Sequence, residues 1–456
     1  MNVKACCSLL ACVLLLAAAL SAQGPGPSAA SASAHDRIAA AVNAIRLIDV
    51  HEHLSAEAER LKREYSLFSL NHYVMSDMWA DGLDRPLAEQ TFGKPGVPLE
   101  KQWELFAPYW ANVRTTAYGR SLLRAVRDLY GVADISAATY LDISRKIREA
   151  NRPGWQEHVL REKAGIDVAI TDIGPTGAAM DPRLYRAVLR LDYFLVAPRG
   201  VVVAEKEHRT PITTLAEWEA ALRKAVARAR EKKFVGIKAA VAYERSLDFP
   251  AVERAEAESL FKAALERKDK PGPVDWTKDK PLQDYMFGKM AEACAEQGLP
   301  LQVHTGFFFD TWRDVRQANP SLLVPFIVRH RNTRFVLMHG GYPYGTELLA
   351  MAKNLPNVAI DMSWTYIISP SFASRFLNEA IETVPSDKVL GFGGDYQIAE
   401  GSYAHAMLCR EVVARVLADK VAAGYWTEAE AVGYARALLR ENAVRVFGLT
   451  EHAAAK

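Results

Sequence analysis

Eight short apolar runs of β type, separated by stretches with helical periodicity, predict an α/β fold of the (β/α)8 TIM-barrel kind. A long interval after the first run breaks the alternation and predicts a helical insertion at that point. Histidine or aspartate stands at or just beyond the end of four runs, and in this fold strand ends gather at one mouth.

Length and composition agree with an enzyme-sized globular protein. The 456 residues, 50% hydrophobic and 24% charged, suffice for a large buried core. A formal charge of +2 excludes the basic excess expected of a chain that binds nucleic acid or an acidic membrane surface.

In chain order, Lys4 and the apolar run 9–20 read as a signal peptide over residues 1–22, too short to span a bilayer. Export to the periplasm or medium is the expectation, with no transmembrane span. Leu9-Leu10-Ala11-Cys12 resembles a lipobox, but little apolar chain precedes Cys12. Residues 23–44, Gly-, Pro-, Ser- and Ala-rich at first, read as a flexible leader, and the barrel with its cap occupies 45–456. Removal of the signal leaves Cys294 and Cys409, expected as buried thiols.

The strands are expected at 47–51, 168–172, 193–196, 235–241, 301–304, 335–339, 358–362 and 389–392. Helices are expected at 215–231, 251–266, 284–297, 320–330 and 428–447. The insertion, about 57–165, is helical and rich in aromatics such as Tyr73, Trp103, Trp110 and Tyr118, which should form the core of a cap over the first loop.

The segment Leu47-Ile48-Asp49-Val50-His51-Glu52-His53 carries the chemistry. Residues two apart on a strand share a face, so both imidazoles can reach one ion. His51, His53, His304 and Asp395 are the candidate ligands, a set of three nitrogens and one oxygen that suits one zinc ion and tolerates manganese or iron. His339 is expected to face the open position. Gly391-Phe392-Gly393-Gly394 lacks the third spaced glycine of a dinucleotide loop and should let the backbone turn around Asp395. Nucleophile-elbow, phosphate-loop and H-E-x-x-H signatures do not occur. Lys238, ending an apolar strand, is expected to bind substrate charge or pair with an acid. Tyr243 and Trp364 lie beyond strand ends where they can line the pocket, and Arg114 in the cap is a candidate for a substrate carboxylate.

The His51-Glu52-His53 pair, Gln302-Val303-His304-Thr305-Gly306, Leu337-Met338-His339-Gly340-Gly341-Tyr342-Pro343 and Gly393-Gly394-Asp395 together resemble the amidohydrolase superfamily, specifically amidohydrolase family 2. The stretch around Lys238 is similar to nodulin-related amidohydrolase domains and distantly to uronate isomerase, although Tyr243-Glu244-Arg245 departs from the adjacent Tyr-Arg order of the nodulin-related group. The resemblance implies a hydrolase in which a metal-activated water attacks a carbonyl carbon. It also implies that Asp395 binds metal and takes the water's proton while His339 polarises the carbonyl. In binuclear relatives a carboxylated lysine at the position of Lys238 bridges two ions, whereas family 2 is more often mononuclear. A small-molecule substrate, carboxylate-bearing if Arg114 or Lys238 engages it, is expected, and a homo-oligomer is compatible with the sequence. The alternatives are a decarboxylase or uronate-isomerase-like enzyme on the same scaffold, and a metal-binding protein without turnover.

Overall fold

The computed structural model describes residues 33–173, 180–269 and 276–452; the expected signal peptide lies outside them. Eight parallel strands follow one another around a nearly closed barrel. They are β1 Leu47–Glu52, β2 Ile166–Ile173, β3 Tyr185–Arg190, β4 Gly236–Ala239, β5 Leu301–Val303, β6 Phe335–Leu337, β7 Val358–Asp361 and β8 Val389–Leu390. Between β8 and β1 the described residues form no ladder. Three backbone bonds close that seam: Val50 N–H to the Phe392 carbonyl at 3.0 Å, Asp395 N–H to His51 at 2.8 Å and His53 N–H to Tyr396 at 3.0 Å.

Strand alternation sorts the barrel interior into two layers. Low in the barrel, Ile48, Val168, Ile170 and Val188 pack with Phe447 and Leu449 from the C-terminal end. Two residues further along the strands come Asp172, Arg190 and Lys238, which turn the upper layer polar. Gln302 crosses that layer and donates from Nε2 to the Val50 carbonyl at 3.0 Å.

Two expectations need correction. The third strand is Tyr185–Arg190, whereas 193–196 falls in a short 3-10 turn, Asp192–Leu195, and its continuation. Arg186 and Arg190 make the true strand look polar, but Arg186 reaches Glu451 at 2.6 Å and Arg190 pairs with Asp172. The leader also ends earlier than residue 44. Ala34–Ala44 is a helix because Ser33 and Asp36 form a capping box and because Ile38 and Val42 are buried.

Helix Leu215–Glu231 has the expected bounds, fixed by a Thr214–Glu217 capping box. The expected final helix starts at Glu428 and ends at Phe447, interrupted by a wider turn over Ala437–Glu441. Between β1 and β2 the helices His72–Ala80, Arg85–Phe92, Leu99–Val113, Ala117–Tyr130 and Tyr140–Ala150 build the cap. Its core of Phe106, Trp110, Val126 and Ile143 is continuous with Trp364, Tyr396 and Ile398 from the barrel mouth, so cap and mouth share one apolar interior. Cys294 and Cys409 are free and buried. Among the described residues no helix is long and apolar enough to cross a membrane.

Candidate metal centre

β1 delivers His51 and His53 to the mouth, with a register shift between Asp49 and Glu52 that re-aims the end of the strand. Their rings meet edge-on with centroids 4.9 Å apart. Asp395 arrives from the turn after β8, its Oδ1 3.5 Å from His51 Nε2 and 3.1 Å from His53 Nε2. One donor atom from each of the three lies within 4.8 Å of the others, a spacing a single ion can bridge. Both ring nitrogens of His51 are buried without a hydrogen-bond partner, the condition of a side chain awaiting a ligand. Burial, helped by the charge on Lys238, holds His51 well below its usual pKa and therefore neutral, as metal ligation requires. Burial alone would raise the Asp395 carboxyl, but the hydrogen bond with the His53 imidazole and the nearness of the His51 and His339 rings outweigh it and hold the group well below the usual carboxylate range.

Asp395 adopts a left-handed backbone, φ 59°, and so do His339 at 64° and Trp364 at 65°. Non-glycine residues there cost on the order of 1–3 kcal/mol each, and such strain gathers at functional sites. The Asp395 turn is held on every side: Tyr73 of the cap donates to its carbonyl at 2.5 Å, Gly394 N–H donates to Asp49 Oδ1 at 3.1 Å and Tyr396 N–H to Glu52 Oε2 at 2.7 Å. Gly394 serves close approach rather than backbone freedom, since a Cβ there would lie 1.9 Å from Glu52 Oε1. Behind the turn burial lifts Asp49 to about 7 and, with Asp49 beside it, carries Glu52 well above the carboxylate range.

His304 stands outside the three-residue group. Its Nε2 lies 2.8 Å from the Phe307 carbonyl and its Nδ1 3.0 Å from His339 Nε2. Each end of the His304–His339 pair meets a carbonyl, and two neutral imidazoles carry two protons for these three contacts; the shorter contact, to Phe307, favours Nε2–H on His304, whose Nδ1 then accepts from His339 Nε2–H. In neutral His339 the free lone pair then falls on Nδ1, 3.8 Å from Asp395 Oδ2 and 3.2 Å from the Ser363 carbonyl. Burial holds His339 at about 4 despite the Asp395 charge that raises it. Asp361, at the end of β7, braces this arm by accepting the His339 and Ser363 N–H groups at 3.1 and 3.0 Å.

Lys238 is buried at the end of β4 with Nζ 2.7 Å from Met338 Sδ, and burial lowers it to about 8 against the charge of Asp172. Tyr243 lies with its ring 4.6 Å from that of His304, and Trp364 stands edge-on to His339 at 5.4 Å, so both line the site. Arg114 does not reach it. That guanidinium bonds Asp134 at 2.6 Å and lies 5.9 Å from the Trp110 ring, both cap residues.

The sequence reading missed His72, Phe307 and Phe309. His72, first residue of its cap helix, packs 5.1 Å from Phe309 and 5.4 Å from Tyr396, with Nδ1 buried and unpartnered. Burial and the nearby His53 hold it at about 3. The signal was the polar pair Asn71-His72 just before the apolar run Tyr73-Val74-Met75. Phe307 and Phe309 follow His304 within five residues and close the mouth around Trp364 and Tyr73.

A family model described as amidohydrolase matches residues 178–449. Among curated proteins, Protein fluG of Emericella nidulans is 27% identical over 224 residues, 48% of this chain, and the match spans only 26% of that protein's length. Uronate isomerase of Nostoc punctiforme is 24% identical over 454 residues, covering 90% of this chain and 93% of the relative. Among solved structures, uronate isomerase from Thermotoga maritima superposes with a TM-score of 0.75 at 16% identity, over 91% of this chain and 97% of that one. A putative metal-dependent hydrolase from Lactobacillus casei superposes with a TM-score of 0.67 at 20% identity, over 91% and 98%.

Proposed function

Because this chain belongs to the amidohydrolase family, we propose that it is a metal-dependent hydrolase acting at a carbonyl-type centre of a small polar molecule. The observation that carries the reading is the convergence of His51, His53 and Asp395, with the unpartnered nitrogens of a fully buried His51 at its centre. These three residues would hold one divalent ion, zinc before manganese or iron, with a coordination position left open for substrate or water. Bound there, the ion supplies Lewis acidity and makes water acidic enough to ionise near neutral pH.

The chain's own groups do the rest. Asp395 Oδ2 is placed to take a proton and faces the lone pair of His339 Nδ1. A proton arriving at Nδ1 is stabilised by the Ser363 carbonyl and by Asp395, while Nε2 stays anchored on His304. Lys238, still largely protonated at neutral pH, gives the floor of the mouth a positive charge suited to a carboxylate-bearing substrate beside the Arg190–Asp172 pair, with Tyr243 and Trp364 as walls. Export to the periplasm or medium, argued from the first 22 residues, belongs to the same reading.

A second reading, a uronate-isomerase-like enzyme, is favoured by one observation. The uronate isomerase relative aligns over nine tenths of the chain, whereas the family match begins at residue 178, beyond the cap. Metal content and two assays separate the readings. Zinc-loaded protein that releases carboxylate from ester, lactone or amide substrates supports the hydrolase; conversion of an aldouronate to its keto form with no hydrolysis replaces it by the isomerase. His51→Ala should empty the site while near-ultraviolet circular dichroism stays native, because a barrel of this size has a core that does not depend on metal. A His51→Ala chain that still carries one ion defeats both readings.

A further inference from the structure

The polypeptide leaves the proposed metal site twice, and both exits are tied together. From His53 it runs into the short helix Glu57–Arg60; from Asp395 it enters the long helix Ala399–Ala422. Arg60 Nη1 meets Glu400 Oε2 at 2.9 Å and Nη2 meets Oε1 at 2.7 Å, a two-pronged fork between side chains 2% and 0% exposed. Glu400 Oε1 also accepts from the Tyr130 hydroxyl at 2.7 Å and from Trp155 Nε1 at 3.0 Å. Arg60 Nε donates to Asn151 Oδ1 at 2.9 Å, and its guanidinium lies 4.2 Å from the Tyr65 ring.

Stability does not account for this arrangement, since a buried ion pair is often no more favourable than a well-packed apolar pair of the same volume. Its planar geometry does something an apolar pair cannot: it fixes one distance and one orientation. The place where that matters is the seam. β8 has two residues, and the described hydrogen bonds joining it and the turn after it to β1 are three between backbones and two from the Gly394 and Tyr396 N–H groups to the Asp49 and Glu52 carboxyls. The two histidines sit on one side of the seam and the aspartate on the other, so any breathing there separates the donors.

We propose that the Arg60–Glu400 fork is a positioning device for the metal centre, holding the histidine arm and the aspartate arm at ligand spacing and so slowing release of the ion. The proposal rests on the reading of His51, His53 and Asp395 as the ligands. Arg60→Lys keeps the charge and loses the fork; Glu400→Gln keeps the shape and loses the charge; Tyr130→Phe keeps the pair and removes one donor. Zinc-loaded full-length proteins are mixed with excess chelator well below their melting temperatures, and the rate of zinc loss is read alongside metal-free stability in denaturant. Arg60→Lys and Glu400→Gln should release zinc about 10-fold or more faster, the range seen when groups that orient ligands are removed, with a smaller rise for Tyr130→Phe. A merely structural pair would lower the denaturation midpoint and leave the release rate where it was, and that result overturns the proposal. If the first two variants do not fold, an unchanged rate in Tyr130→Phe overturns it as well. Wild-type protein that takes up no zinc removes the metal-site reading and this proposal with it; wild-type that binds while folded Arg60→Lys releases at the same rate removes this proposal alone.

Discussion

Both ring nitrogens of His304 have hydrogen-bond partners within the protein, whereas neither of those of His51 does. That difference predicts different fates for two histidines that look alike at the ends of their strands. His304→Ala should keep one equivalent of metal, read by atomic emission, and lower turnover, because it removes the acceptor that fixes the His339 tautomer. His339→Asn should also keep the metal and lose roughly 10²- to 10⁴-fold in kcat, the usual effect of removing a positioned proton-transfer group. Metal loss in either variant makes that residue a ligand. The sequence could place His304 at the mouth but not assign its nitrogens, since the Phe307 carbonyl and the His339 ring come from a loop and another strand. Arg114 failed for the reverse reason: Asp134, which occupies it, lies 20 residues away in a cap whose internal pairing no strand periodicity records.

At the scale of elements, the glycines around the Asp395 turn are sorted by what surrounds them. Gly394→Ala should destabilise the fold by about 1–3 kcal/mol through overpacking against Glu52, and should weaken metal retention because that carboxylate holds the Tyr396 N–H beside Asp395. Gly433 is a control. It lies inside helix Glu428–Arg436 with open space where a Cβ would go, so Gly433→Ala should add about 0.5–1 kcal/mol in a urea titration. Stabilisation of both variants alike, or no shift in Gly394→Ala, would show that the Glu52 contact does not govern the turn. The element most legible in sequence is one whose apolar residues are unbroken, such as β6 with its fully buried Phe335, Val336 and Leu337. β3 was displaced because its two arginines find partners on other elements, Glu451 and Asp172, while the apolar run after it packs as a buried turn. The cap was visible as an interruption of the alternation, but its contribution of Tyr73 and His72 to the mouth was not, since both read equally well as cap core.

For the molecule as a whole, buried titratable groups pull stability in opposite directions over one pH range. Burial holds His405 at about 4, while it lifts the carboxyls of Asp192 and Asp361 to about 6. A histidine whose folded pKa is depressed lends stability that is complete above its unfolded value near 6.5 and is lost as pH falls through 4; the raised carboxyls lose theirs as pH rises through 6. A wild-type pH profile therefore sums terms of both signs, and the difference between two chains isolates one of them. Between pH 6.5 and 4, metal-free wild type should lose on the order of 3 kcal/mol more than His405→Gln in denaturant midpoints, and parallel profiles would show that His405 titrates normally.

The order of the strands also sets a timetable. Glu52 and Tyr396, which meet beside the proposed ligands, are 344 positions apart in the chain. A ribosome adding roughly 5–20 residues per second spends on the order of tens of seconds between the histidines and the aspartate. Throughout that interval the first strand has no eighth strand to lie beside, and the imidazoles wait without their carboxylate. The cap helices, contacting one another over short sequence distances, can fold during the wait and shelter the exposed end of β1. Only the arrival of the last turn closes the ring, so a chain truncated before Asp395 lacks one of the three donors however well its cap has formed.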